Sequence, residues 1–156
     1  MRYQNISLVN RYLSEYTEGM KTPNFTLQQF NEKYHDDDAC LEAIFKARYV
    51  NLEVCPQCEK RTKFYRIQER KCYCCPFCGY QIYPLAHTIF HKSDTPLRLW
   101  FYAIFLFSAS EDDISAKELQ RQLSVTYKCA WRIANKVRAL FEDDTPIKSE
   151  VGRLAQ

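Results

Sequence analysis

The spacing of apolar positions predicts a helical segment over residues 1–50. One face of a helical wheel carries Leu41, Ile44, Phe45 and Arg48. The aspartates at 36–38 precede that face and supply an N-cap with acidic first-turn groups. We therefore expect one helix from there to about Tyr49 and a shorter one led by Thr26.

Residues 51–92 follow a different pattern, in which aromatic and polar residues alternate over short runs. The runs cover residues 64–67, 71–73 and 81–83. Because alternation with a period of two is typical of half-buried strands, we expect small hairpins in this segment.

Residues 94–142 return to helical spacing and predict three helices. Thr95 as N-cap and Pro96 as the first helical residue begin the first one, which runs to about Ser110.

The second and third helices are joined by a short predicted turn. Ser115, followed three residues later by a glutamate, gives a capping-box pattern for a helix that ends at Leu123. After the turn at 124–126, the third helix runs to about Phe141, and residues 143–156 form a polar tail. Apolar positions suited to packing this pair are Leu119, Leu123, Val125, Ala130 and Ile133.

Composition narrows the class of protein. The chain has 156 residues, of which 46% are apolar and 26% charged, so it fits one globular domain or a few small modules. It has three glycines and contains neither a Gly-x-Gly-x-x-Gly string nor a Walker-type Gly-Lys-Ser/Thr string. These absences exclude the commonest nucleotide-binding fingerprints.

The sequence shows no targeting signal and no membrane span. Its most apolar run, residues 100–107, is far shorter than the about 20 residues that a spanning helix needs. We therefore expect no membrane partner and a cytoplasmic location. In such a reducing compartment, paired cysteines more often bind metal than form disulfides.

Positive charge is concentrated in the middle of the chain and near its end. Residues 1–54 carry six basic and eight acidic groups, whereas residues 55–80 carry six and two. Residues 125–141 contain four basic groups and no acid. A basic helix of this length is a candidate phosphate-facing surface, although an ordinary solvated helix face has the same composition.

Two Cys-Pro-x-Cys pairs predict a structural zinc ribbon. Cys55 and Cys58 form the first pair, Cys75 and Cys78 the second, and sixteen residues separate the pairs. This spacing lets four thiolates surround one Zn²⁺ tetrahedrally, which leaves no open position for catalysis. Since so small a segment cannot bury a sufficient core, the metal is expected to hold it folded.

The register of the second pair has an alternative. Cys72 and Cys75 also form a Cys-x-x-Cys, so Cys72 or Cys74 could replace a ligand. We prefer Cys78 because both pairs then share the same form. Cys40 and Cys129 are expected to be small buried side chains.

The last two helices have the layout of a helix-turn-helix. Lys and Arg on the second helix of such a motif contact phosphates or guanine, and Asn reads adenine. The structural alternative is a three-helix packing domain with a solvated basic helix. The side chains expected to face duplex DNA are Thr126, Tyr127, Lys128, Arg132, Asn135, Lys136 and Arg138.

Three stretches resemble insertion-sequence transposases that begin with a zinc ribbon. They are CPFCGYQIYPLAHTIFHKS from Cys75, TPLRLWFYAI from Thr95 and SAKELQRQLSVTYKCAWRI from Ser115, preceded by DACLE from Asp38. The resemblance covers roughly residues 25–150. It implies that the ribbon and helix-turn-helix bind terminal inverted repeats, with Cys55, Cys58, Cys75 and Cys78 as zinc ligands. It also implies a bacterial-type, nucleoid-associated location.

Departures from the family limit what carries over. The family usually has Gly where this chain has His87 and Ser124, and Thr where it has Cys129. Its RNase H-like catalytic domain, with an acidic metal-binding triad, would begin near Val151. We therefore expect no enzyme activity and no catalytic residues here.

Together these features predict an α+β, mostly helical chain in four segments. They are a helical N-terminal segment (1–50), a zinc ribbon (51–92), a three-helix helix-turn-helix module (94–142) and the polar tail. The predicted function is a truncated or stand-alone DNA-binding front part of a transposase, partnered by double-stranded DNA and by a second copy or full-length transposase. The alternatives are a protein-interaction adaptor, a transcriptional regulator derived from a transposase, and an active nuclease, which the scattered acids disfavour.

Overall fold

The computed structural model describes residues 25–110 and 112–143, with the backbone alone for residues 142 and 143. The predictions for residues 1–24 and 144–156 lie outside these ranges. The described elements are α1 (Leu27–Lys33), α2 (Asp37–Arg48), β1 (Tyr65–Ile67), β2 (Cys72–Cys74), β3 (Gln81–Ile82), α3 (Leu97–Ala109), α4 (Ala116–Leu123) and α5 (Tyr127–Asp143). They agree with the α+β class expected from the sequence.

Side-chain caps start the first two helices, as their sequences predict. Thr26 Oγ1 accepts a hydrogen bond from the Gln29 amide at 3.3 Å, and Gln29 Oε1 accepts one from the Thr26 amide at 2.9 Å. Asp36 accepts from the Ala39 amide at 2.7 Å at the start of α2. These bonds satisfy amide groups that have no partner within their own helix.

The strands form one antiparallel sheet in the order β1-β2-β3. Tyr65 pairs with Cys74 in the first ladder, and Tyr73 pairs with Ile82 in the second. No strand is longer than three residues. So small a sheet is marginal in water and needs another source of stability.

Helix α3 begins one residue later than its sequence predicts. The expected Thr95 cap is wrong because Pro96 is extended, with ψ 138°, and itself occupies the cap position without a side-chain hydrogen bond. The Arg98 amide instead donates to Asp37 Oδ1 at 2.9 Å. A carboxylate at the start of α2 thus caps α3 from another part of the chain.

Helices α4 and α5 are joined by the turn that the sequence predicts. Ser115 Oγ accepts from the Glu118 amide at 3.1 Å, while the Glu118 carboxylate turns to other partners. Ser124 takes the left-handed conformation, with φ 53° and ψ 41°. Thr126 Oγ1 then accepts from the Cys129 amide at 3.3 Å and caps the first turn of α5.

One apolar core joins the helices to the sheet. It draws residues from α1, α2, β2, α3, α4 and α5, and Trp100 is fully buried within it. Phe45 of α2 stacks on Tyr73 of β2 with ring centroids 3.8 Å apart. Polar contacts reinforce this junction, since Arg66 reaches Asp38 at 2.8 Å and Arg48 donates to the backbone after β3.

No helix within the described ranges is both long and apolar enough to cross a membrane.

Candidate metal centre and nucleic-acid interface

Four cysteine thiols converge between the two Cys-Pro-x-Cys turns at residues 55–58 and 75–78, which we call the knuckles. The sulfur atoms of Cys55, Cys58, Cys75 and Cys78 all lie within 4.8 Å of one another. The Cys55–Cys78 distance is 3.6 Å and the Cys58–Cys75 distance is 3.8 Å. A tetrahedral zinc ion with Zn–S bonds of about 2.3 Å separates its sulfur ligands by about 3.8 Å. The cluster therefore fits one structural Zn²⁺.

Both knuckles use the same backbone turn to aim their thiols. The Glu59 amide donates to the Cys55 carbonyl at 2.9 Å, and the Gly79 amide donates to the Cys75 carbonyl at 3.0 Å. Glu59 and Gly79 are both left-handed, with φ 56° and 75°. Glycine takes this conformation without steric cost, so the first knuckle contains a strained residue where the second has none.

The tertiary arrangement decides the cysteine register in favour of Cys78. Cys72 and Cys74 lie on β2, and both are buried. The Cys74 thiol contacts the Cys75 carbonyl at 3.5 Å and lies outside the four-thiol cluster. Neither residue belongs to the ligand set.

The surroundings of each thiol determine its acidity. Burial of Cys55 raises its pKa, but N–H groups of Cys58 and Gln57 and the neighbouring thiols outweigh this and lower the pKa to about 7. The Tyr80 amide lowers the pKa of Cys78, but burial and the neighbouring thiols outweigh it and raise that pKa to about 12. A lowered thiol pKa favours the thiolate that zinc requires. Burial of Cys40 raises the pKa of that thiol to about 12, which makes it inert at neutral pH. Cys129 is half-buried and contacts Thr95 Oγ1 at 3.4 Å.

Helix α5 presents most of the predicted DNA-contacting residues on its outer face. Its inner face is packed into the core by Ala130, Ile133, Ala134, Val137 and Leu140. The predicted residues that are exposed are Thr126, Tyr127, Lys128, Arg132, Asn135 and Lys136. No acidic residue occurs between residues 125 and 141 to neutralise this face.

Arg138 differs from the other predicted residues because it is partly buried and forms an ion pair. Its guanidinium contacts both carboxylate oxygens of Asp113 at 2.8 and 2.9 Å and donates to the Ile114 carbonyl at 2.7 Å. These bonds tie α5 to the segment before α4. The structure thus gives Arg138 a packing role, which the sequence alone did not predict.

The remaining cations of α5 differ in whether their side chains form hydrogen bonds. Arg132 reaches Thr95 Oγ1 at 3.2 Å, and Lys136 donates to the Ile89 carbonyl at 3.1 Å. Within the described part of the chain, the side chain of Lys128 makes no hydrogen bond or ion pair. Lys128 therefore has its charge fully available to a ligand.

Trp131 is an outer-face residue that our sequence reasoning missed. Its side chain is 54% exposed, and it lies between Lys128 and Asn135 on the same side of α5. Two of the positions that pack inward, Ala130 and Ile133, were predicted, and the helical period then leaves Trp131 pointing outward. That periodicity was the signal that could have identified it.

Carboxylates do not gather into a metal site within the described ranges. The four cysteines are the only group of three or more potential metal ligands found there. His87 and His91 stack with ring centroids 5.9 Å apart and are both exposed. His87 is left-handed, with φ 61°, at a position where glycine would be unstrained.

Comparison with known proteins identifies part of the chain. Residues 35–81 match a family model described as a transposase zinc-ribbon domain. This range contains α2, all four ligands and the sheet as far as the first residue of β3. Searches of curated proteins and of solved structures found no match. The match indicates that this part of the chain is similar to the zinc ribbons of transposases.

Proposed function

We propose that the described part of the chain binds duplex DNA through α5, holding the terminal inverted repeats of a transposable element without cutting them. The observation that carries this proposal is the outer face of α5, which combines exposed cations and an asparagine with no acid. The transposase zinc ribbon at residues 35–81 supports nucleic acid as the partner.

The geometry around α5 favours a helix-turn-helix mode of binding. Its inner face packs on α3 and α4, so the outer face is open to a groove. In such motifs the N-terminal part of the second helix contacts base edges. Tyr127 occupies that end, Lys128 beside it is suited to a phosphate contact, and Asn135 follows two turns after Lys128. Arg132 and Lys136 flank them in positions suited to phosphates.

The first test measures how strongly salt weakens binding. Fluorescence anisotropy with labelled duplexes, including the DNA that flanks the gene, gives the association constant at several salt concentrations. Each neutralised phosphate contributes a slope of about −0.9 to log K against log salt. We expect a steep slope and tighter binding to flanking repeats than to scrambled duplexes. A slope near zero would contradict DNA binding.

The second test assigns the contact to α5. Lys128→Ala should weaken binding to every duplex and make the salt slope shallower by about 1. Lys46→Ala is the matched control, because Lys46 is also an exposed helical lysine but lies on α2 beside Glu42. Equal effects of the two substitutions would place the DNA elsewhere on the molecule.

A second candidate function is a protein-interaction adaptor. A groove of about 730 Å³ lies between α2 and the ribbon and has a largely apolar lining. Its lining includes Phe45, Leu52, Phe64, Pro76 and Phe77, together with Arg61 and Lys63. An adaptor would show no affinity for duplex DNA, and its partner binding would survive the combined change Lys128→Ala and Arg132→Ala. A homodimer or a complex with full-length transposase stays a prediction.

A further inference from the structure

Trp131 lies on the outer face of α5, one helical turn after Tyr127, and is unusually exposed for its size. Its side chain is 54% accessible, whereas Trp100 of α3 is fully buried. An exposed indole loses the favourable burial that tryptophan normally gains. Tryptophan is also enriched at contact surfaces, where a partner covers it. Its position on the proposed DNA-facing helix makes DNA the partner to consider.

Hydrogen-bonding side chains flank the indole at helical spacing. Lys128 lies three residues before Trp131 and Asn135 four residues after it, so all three share one face. Tyr127, a further four-residue neighbour, is also 54% exposed. Within the described structure, neither aromatic ring packs against another ring. The outer face therefore has an apolar patch, formed by Tyr127 and Trp131, beside these polar groups.

An apolar side chain can read sequence in the major groove through one feature. Hydrogen-bond donors and acceptors fill most of the base edges there, and the 5-methyl group of thymine is the apolar exception. We propose that Trp131 is a specificity-determining residue that contacts a thymine methyl group in the bound duplex. The proposal rests on the proposed function, because it needs α5 in the major groove.

Removal of single methyl groups tests this contact. A duplex selected by the wild-type protein from a random pool is remade with one thymine at a time replaced by deoxyuridine, which lacks only the methyl group. We expect one position, or two in a symmetric site, to weaken binding about fourfold, as loss of one buried methyl-sized group implies. The other thymines should tolerate replacement.

Substitutions of Trp131 test whether the sensitivity to the methyl group depends on this residue. Trp131→Ala should bind the thymine and deoxyuridine duplexes equally, while Trp131→Phe should keep part of the preference. Lys128→Ala is the control, since it should weaken binding to both duplexes by the same factor. Circular dichroism checks that each variant is folded. If a variant does not fold, the deoxyuridine series with the wild-type protein still tests whether a thymine methyl group is contacted.

The outcomes separate this inference from the function on which it rests. If no duplex binds, DNA binding itself fails and the methyl contact fails with it. If duplexes bind but no thymine is sensitive, or Trp131→Ala keeps the same sensitivity, only the role of Trp131 is overturned.

Fluorescence gives an independent readout of the same contact. The chain has two tryptophans, and Trp100 is fully buried. Acrylamide should therefore quench mainly Trp131, and the selected duplex should protect it. Protection that is absent at saturating duplex would overturn the proposal even if affinity is high.

Discussion

Single residues in left-handed conformations set the shape of the turns that position both candidate sites. Glu59 and Gly79 turn the two zinc knuckles, and Ser124 turns the chain between α4 and α5. A left-handed conformation costs an L-residue roughly 1–2 kcal/mol, whereas glycine avoids this cost. Ser124 therefore stores strain at the point that fixes the angle between the two helices.

Ser124→Gly should stabilise the fold by roughly 0.5–1 kcal/mol, because it removes the steric cost while glycine's greater freedom in the unfolded chain offsets part of the gain. Chemical denaturation followed by circular dichroism measures this change. Ser115→Gly is the matched control, and it should be destabilising because Ser115 caps α4 at φ −70°. A destabilised Ser124→Gly variant would show that the serine contributes more than its backbone shape.

Contacts between elements, and not only local caps, hold the helices in register. Asp37 begins α2 but accepts from the Arg98 amide in the first turn of α3. The Arg98 side chain continues this junction, donating to the Tyr34 carbonyl at 3.0 Å and to Asn31 at 2.8 Å. The ends of three helices thus meet at one hydrogen-bonded corner.

Asp37→Ala should destabilise the protein by about 1 kcal/mol, because it leaves the Arg98 amide without its capping oxygen. Asp37→Asn should retain most of the stability, since its amide oxygen can still accept that bond. Asp94→Ala serves as the control for removal of an exposed aspartate. Urea unfolding compares the three variants, and equal midpoints for Asp37→Ala and Asp94→Ala would contradict the capping role.

At the scale of the whole molecule, zinc and the apolar core stabilise different parts of one body. The sheet is too small to persist alone, so the four thiolates must hold the ribbon together. The helices share one core, to which the ribbon contributes Tyr73 and Phe90. Loss of the metal should therefore destabilise residues 54–82 more than the helices.

Chelation of zinc should release one ion per chain and unfold the ribbon while much of the helical signal remains. Structural zinc contributes on the order of 10 kcal/mol, more than three short strands can replace. A colorimetric zinc assay counts the ion, and hydrogen exchange locates the loosened segment. Cys78→Ser should lose zinc, whereas Cys72→Ser should retain it. Zinc loss in both variants, with the fold intact, would contradict the ligand set.

The sequence by itself determined the features that depend on neighbours a few residues apart. Caps at Thr26, Asp36 and Ser115, the three strand runs and the paired knuckles follow from local hydrogen bonds, side-chain alternation and chelate spacing. The turn at residues 124–126 also follows from the sequence, whereas the left-handed conformation of Ser124 became visible only in the structure. The α+β class could be predicted for the same reason.

Only the tertiary structure decided questions whose partners lie far apart in the chain. It placed Cys78 and not Cys72 in the thiol cluster, and it moved the cap of α3 from Thr95 to Asp37. It also paired Arg138 with Asp113, whereas the side chain of Lys128 has no such partner among the described residues. Folding brings these groups together through packing of whole elements, and a helical period cannot show which cation then meets an acid and which meets solvent.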